Sequence, residues 1–234
     1  MSANTMIRVR SLAKTFTLHQ QGGARLPVLA GVDFQVAAGE CLVLHGPSGA
    51  GKSTLLRTLY GNYRLQSGSV AIRHQGSFLE LGQATPQQIL AMRHETVGYV
   101  SQFLRVIPRV GAVDVVAEPL LARGISPAEA RDRAEEWLAR MGLPTRLWHL
   151  PPATFSGGEQ QRVNIARSMI AEYPVLLLDE PTASLDAENR RIVVDLMIRA
   201  RSCGAALVGI FHDADVRSAI ATRSYEVMPI QEAA

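Results

Sequence analysis

Gly46-Pro47-Ser48-Gly49-Ala50-Gly51-Lys52-Ser53 carries the spacing G-x-x-x-x-G-K-S. Glycines at these positions let the backbone curl so that successive N–H groups point inward at phosphate oxygens. A helix beginning at Lys52 would add the positive end of its dipole. Lys52 offers a charge to the outer phosphates, and Ser53 offers a hydroxyl to Mg²⁺. Far downstream, Asp179 and Glu180 close the apolar run Val175-Leu176-Leu177-Leu178. Two acids at the end of a buried strand suit one cation ligand, acting through its water shell, and one group that takes a proton from, or orients, an attacking water. Either motif alone has an ordinary reading, a glycine-rich turn before a lysine or a solvated acidic turn. Together they point to phosphoryl-transfer chemistry.

Ser156-Gly157-Gly158-Glu159 satisfies the S-x-x-E capping box, and Val163, Ala166 and Ile170 continue as a helical stripe. Locally this is a well-capped helix. The glycines exceed what capping needs, because each costs a helix about 1 kcal/mol relative to Ala. A bare backbone at a helix N-terminus is useful where an anion must approach closely. Gln102 follows the apolar stretch Val97–Ser101, and His212 follows Ala205–Phe211. A histidine at a strand end is by itself unremarkable.

The elements that must hold these residues read as alternating strands and helices. Cys41–Leu44 is the strand before the glycine loop, and Leu55, Leu56 and Leu59 form the apolar face of the helix after it, which stops near Gly61. Short strands are expected at Ser69–Ile72 and Phe78–Leu81, then Val97–Ser101, Val175–Leu178, Ala205–Phe211 and Ser224–Met228, with a helix over Ala187–Arg201. Strands separated by helical runs imply a mostly parallel sheet covered on both faces. The region before Val43 is β-rich, and the block from Phe103 to about Leu150 breaks the rhythm as an inserted helical subdomain. One helix there is placed by Ser126 as N-cap, Pro127 at the first position and Glu129 at the third, with Ala130, Ala134, Trp137, Leu138 and Met141 on one face and Gly142 as the stop. That helix is packing and carries no chemistry.

The 234 residues fit one domain, and an apolar fraction of 47% argues against disorder. A net charge of +3 without a dense Lys/Arg run suits an anionic ligand and does not indicate a nucleic-acid binder. No run of 18 apolar residues exists to span a bilayer, and Met1–Arg10 lacks the apolar core of a secretory signal, so a cytoplasmic location is expected. Cys41 and Cys203 have no metal-ligand spacing and are expected to be two buried thiols in a reducing compartment.

Phe155-Ser156-Gly157-Gly158-Glu159-Gln160-Gln161-Arg162 resembles the signature of the ATP-binding cassette family, with Glu159 in place of the usual glutamine. The resemblance covers nearly the whole chain. It implies a phosphate-loop ATPase of α/β class, one domain over 1–234, with an N-terminal antiparallel β subdomain and a helical subdomain at about 103–155. It also implies a head-to-tail homodimer closing on two MgATP. Each ATP would lie on Gly46, Pro47, Ser48, Gly49, Ala50, Gly51, Lys52, Ser53 and Thr54 of one copy and meet Ser156, Gly157 and Gly158 of the other. Ser53, Gln102 and Asp179 would serve Mg²⁺. Glu180, His212 and Lys52 would act on the γ-phosphate, Asp186 in Ser184-Leu185-Asp186 would cross the interface, and Phe16 would stack on adenine. The carboxylate of Glu159 is expected to turn back onto the Ser156 N–H.

Several stretches resemble a narrower group, the cassette subunits of the bacterial carbon–phosphorus lyase system for phosphonate breakdown. They are His19-Gln20-Gln21 with Arg25-Leu26-Pro27-Val28-Leu29, Ser101-Gln102-Phe103-Leu104-Arg105-Val106-Ile107-Pro108-Arg109, Arg146-Leu147-Trp148-His149-Leu150 and Gly209-Ile210-Phe211-His212-Asp213. That likeness implies other lyase subunits as partners and support for formation of ribose 1-methylphosphonate 5-triphosphate. The rival reading is the nucleotide-binding subunit of a transporter of lipoprotein-release or macrolide-export type. The two share their ATP chemistry and differ in what docks near Gln102 and the surface Phe103–Ile125.

Overall fold

The computed structural model describes residues 4–18, 20, 22–102, 104 and 108–230. His19, Gln21, Phe103, Arg105, Val106 and Ile107, which carry part of the narrower resemblance, lie outside them. Strands β1 (Thr5–Leu18) and β2 (Ala24–Ala37) form a long antiparallel ribbon. With β4 (Ser67–His74) and β5 (Ser77–Glu80) they make a four-stranded antiparallel sheet in the order β2-β1-β4-β5. The second sheet is parallel and five-stranded, in the order β6-β7-β8-β3-β9. Its strands are β3 (Cys41–His45), β6 (Val97–Val100), β7 (Val175–Asp179), β8 (Ala206–Ile210) and β9 (Arg223–Glu226).

The apolar runs of the parallel strands are explained by burial on both faces. Successive side chains alternate between two cores. Leu42, Leu44, Val175, Leu177, Val208 and Ile210 face helix α1 (Lys52–Leu59) and the antiparallel sheet. Cys41, Val43, Leu176, Leu178 and Leu207 join the core built by five other helices. These are α3 (Ala112–Ala122), α4 (Pro127–Arg140), α5 (Gly157–Met169), α6 (Ala187–Ser202) and the short α7 (Ala214–Ile220).

Helix α4 begins as its sequence predicts. The Ser126 hydroxyl accepts from the Glu129 N–H at 3.3 Å, Ala130, Ala134, Leu138 and Met141 are buried, and Gly142 turns left-handed at φ 65°. Helix α2 (Pro86–Glu95) was absent from the sequence layout. It buries only Met92, so it has no apolar stripe to betray it. Its signal is the cap: Thr85 and Gln88 form a reciprocal capping box that spans Pro86 at the first helical position. The expected pair of buried thiols is corrected in one member. Cys41 is buried, and burial pushes its thiol pKa up to about 12, but Cys203 caps the C-terminus of α6 and is exposed. Among the described residues no helix is long and apolar enough to cross a membrane.

The strand order does one thing for function. Strands β6, β7, β8 and β3 are neighbours and run parallel, so the segments leaving their carboxyl ends emerge along one edge. Those segments contain Gln102, Asp179–Glu180, His212 and the glycine loop.

Candidate nucleotide site

The glycine loop is shaped by what presses on it from behind. Gly46 has φ 140°, and a Cβ there would lie 2.4 Å from the Val227 carbonyl oxygen, where the chain leaving β9 donates its Val227 N–H to His45 at 2.8 Å. Gly51, the N-cap of α1, has φ 91°, and a Cβ would come within 2.9 Å of Val28 and Leu29 on β2. Neither position accepts a side chain. On the open side, Ser48 and Gly49 are exposed. The Lys52 ammonium donates to the carbonyls of Gly46 (2.9 Å) and Pro47 (2.8 Å), so it stands inside the curl its own loop makes. Thr54 follows in the first turn of α1 and accepts at its carbonyl from the buried Thr58 hydroxyl.

The acids at the end of β7 have different environments. Asp179 is 3% exposed and accepts two hydrogen bonds, from the Ser53 hydroxyl at 2.9 Å and the Tyr99 hydroxyl at 2.8 Å. Burial, followed by the negative charge of Asp179, raises the Tyr99 pKa, which keeps the phenol neutral and donating. Hydroxyl and carboxylate oxygens with few protein ligands suit a hard cation held mainly by phosphates and water. Among the described residues no cluster of three His, Cys, Asp or Glu side chains could hold a metal alone.

Glu180 leaves the strand with φ 53°, a left-handed conformation that costs a glutamate of order 1 kcal/mol or more. The turn takes its carboxylate off the sheet axis. One oxygen lies 2.6 Å from His212 Nε2, and the other accepts from the Gln102 side-chain amide at 3.2 Å. Three residues from three strand ends, expected separately from the sequence, thus meet in a single hydrogen-bonded group. The strand ends at Asp179, because Glu180 has already turned.

Ser156 caps α5 as a reciprocal capping box. Glu159 Oε2 accepts from the Ser156 N–H at 2.9 Å and from its hydroxyl at 2.7 Å. The hydroxyl bond first, and the N–H bond second, hold the Glu159 carboxyl below its ordinary range. The carboxylate therefore turns inward as expected. The adjacent glycines differ. A Cβ at Gly158 would sit 3.1 Å from the Ser184 carbonyl, so this glycine lets the turn Ser184-Leu185-Asp186 pack closely; a Cβ at Gly157 would meet nothing within 4 Å. Ser156 and Gly157 are exposed and Gly158 is half-buried. Asp186 caps α6, accepting from the Asn189 N–H at 2.8 Å. Arg162 bridges from α5 to the Met141 and Gly142 carbonyls and to the Asn189 side chain. Among the described residues no hydrogen bond joins Ser156–Gly158 to Gly46–Ser53 of the same chain.

Phe16 is half-buried on β1, edge-on to Tyr63 with ring centroids 5.1 Å apart and with the Lys14 ammonium 5.0 Å from its ring. It pairs across the ribbon with Leu26, just before the Val28–Leu29 step that rests on Gly51. Tyr99 is a site residue that the sequence did not single out. It sits inside an apolar strand, and only the pairing of β6 with β7 turns its hydroxyl toward Asp179.

A phosphate loop after β3, an acid pair at the end of β7 with β8 between them, and a second, separate Ser-Gly-Gly helix define a nucleotide-binding cassette. The ABC transporter family model matches residues 29–183, and the chain belongs to that family, whose cassettes bind and hydrolyse ATP. It is 37% identical over 211 residues to the lipoprotein-releasing system ATP-binding protein LolD of Idiomarina loihiensis, covering 90% of this chain and 89% of that one. It is 39% identical over 214 residues to the uncharacterized ABC transporter ATP-binding protein YbbA of Escherichia coli K12, covering 91% and 90%. Among solved structures it resembles the dimeric, post-hydrolysis ATP-binding cassette MJ0796 bound to ADP and Pi. The TM-score is 0.86 at 28% identity, over 95% of this chain and 94% of that chain.

Proposed function

We propose that this chain is the ATP-hydrolysing subunit of a membrane transporter of the lipoprotein-releasing type, working as a homodimer. The observation that carries the reading is its likeness, over nine-tenths of its length, to transporter subunits including LolD. The chain acts as one domain with a helical subdomain of about residues 103–155. Its own membrane partner is a permease, and it needs no spanning segment itself.

The geometry supports a division of labour. Backbone N–H groups of Gly46–Thr54 bind the phosphates, and Lys52 leaves the Gly46 and Pro47 carbonyls for the outer phosphate oxygens. Ser53, Asp179 and Gln102 hold Mg²⁺, which when bound neutralises charge on the phosphates. Tyr99 keeps Asp179 oriented. Glu180 orients or deprotonates the attacking water while His212 and Gln102 fix its two oxygens. Phe16 stacks on the adenine. Ser156, Gly157 and Gly158 close over the nucleotide of a second copy, with Asp186 at the crossing, and the exposure of Gly157 supports that role.

The second reading, a carbon–phosphorus lyase subunit, is favoured only by the short stretches quoted above. The named relatives are transporter subunits instead. Affinity purification of the tagged chain from detergent-solubilised cells separates the two. A co-purifying permease, with ATP turnover that rises in its presence, is the expected result. Recovery of soluble phosphonate-lyase subunits without a permease would overturn it.

A further inference from the structure

Helix α5 buries two amide side chains, Gln161 and Asn164, each 3% exposed, among apolar neighbours such as Val163 and Ile165. A buried amide left unpaired costs about 1–3 kcal/mol, so their partners define what they do. The Gln161 amide donates to the Pro181 carbonyl at 3.1 Å and reaches the Ser101 carbonyl at 3.5 Å. Asn164 donates to the Ser101 carbonyl at 2.7 Å, and its amide also meets the Gln161 side-chain oxygen at 3.3 Å. Asn164 thereby occupies the Gln161 oxygen and leaves its NH₂ aimed at the two carbonyls.

Those carbonyls belong to the residue immediately before Gln102 and the residue immediately after Glu180. The side chains of Gln102 and Glu180 in turn meet at 3.2 Å. The result is a closed circuit: Ser101 to Gln102, across to Glu180, on to Pro181, and back through Gln161 and Asn164. Ser168, one turn further along α5, adds a bond to the Tyr99 carbonyl at 3.1 Å.

We infer that Gln161 and Asn164 are positioning residues, an amide clamp that sets the spacing of Gln102 and Glu180 without touching the nucleotide. The inference rests on the reading of Glu180 as the group that acts on water. Because the clamp is part of the helix that starts at Ser156–Gly158, a displacement of that helix moves both carbonyls together. A misplacement of about 1 Å at a reacting group can cost on the order of a hundredfold in rate.

The test is a double-mutant cycle on the full chain. Asn164→Ala should leave ATP affinity within about twofold while lowering kcat about tenfold or more. Asn164→Ser, which keeps a short donor, should recover part of that rate. In a Gln102→Ala background the same Asn164→Ala change should cost less than about threefold, because residues in one network are not additive. An equal loss in both backgrounds overturns the clamp. So does a loss of ATP affinity in both Asn164 variants, which would make the residue merely structural. Glu180→Gln, measured alongside, separates the failures: normal turnover there refutes the assignment of Glu180, whereas an inactive Glu180→Gln with an additive cycle refutes the clamp alone.

Discussion

Gly157 and Gly158 are neighbours at the start of α5, and alanine at each should do opposite things. At Gly157 a methyl meets nothing within 4 Å, and φ is not in the left-handed region. Gly→Ala at such a place stabilises by about 0.4–1 kcal/mol, largely by restricting the unfolded chain. For a domain of this size that raises Tm by about 1–4 °C. At Gly158 the methyl meets the Ser184 carbonyl at 3.1 Å, a backbone atom that must yield by a few tenths of an ångström. Crowding there offsets the gain, and the net effect is zero to a loss of about 1 kcal/mol. Thermal melts of the nucleotide-free protein read this difference. The functional effect runs the other way for Gly157. In a Glu180→Gln background, the ATP concentration for half-dimerisation on a sizing column should rise about tenfold in Gly157→Ala, because the methyl occupies backbone that an incoming phosphate must reach. Gly157→Ala that dimerises at the parent's ATP concentration would refute the phosphate role. A melt below the parent would refute the claim that its surroundings are empty.

Lys52→Ala should lower ATP affinity about a hundredfold with little change in melting temperature, read by nucleotide titration; unchanged affinity would remove the loop as the phosphate site. Tyr99→Phe deletes one of the two donors on Asp179 and should raise the Mg²⁺ concentration for half-maximal hydrolysis about tenfold, with metal-free nucleotide affinity unaltered. Glu159→Gln should change ATP turnover less than about tenfold, since Gln also completes a capping box. The depressed pKa of Glu159 means that its ionised form favours the fold above the ordinary value of 4.5, and that this contribution is lost as pH falls through the lowered one. The parent should therefore melt above Glu159→Gln at pH 7, and the gap should close in acid. A gap that widens on acidification would contradict the hydrogen-bonded carboxylate.

Elements that bury an apolar stripe or run were legible along the chain: β3, β7 and β8 as continuous apolar segments, α1 and α4 from their faces and stops. Helix α2 was not, because Met92 is its only buried side chain and its evidence lay in a cap. The exposure of Cys203 was equally hidden, since a thiol carries no sign of which end of a helix will reach solvent. The glycines of the Ser-Gly-Gly segment read alike in sequence. Their difference depends on Ser184, which lies 26 positions further along and reaches Gly158 only when the turn before α6 folds back over α5.

Residue order alone determined the chemistry. The G-x-x-x-x-G-K-S spacing, the acids ending an apolar run and the capped Ser-Gly-Gly helix are local patterns, and local patterns survive in one dimension. Tertiary structure decided which groups touch. Gln102, Glu180 and His212 are far apart in the chain and converge because β6, β7 and β8 lie side by side and parallel, a pairing that no single strand specifies. The hydroxyl of Tyr99 and the amides of Gln161 and Asn164 gained their partners the same way. Hydrogen bonds between distant segments exist only after the sheet and α5 have been packed together.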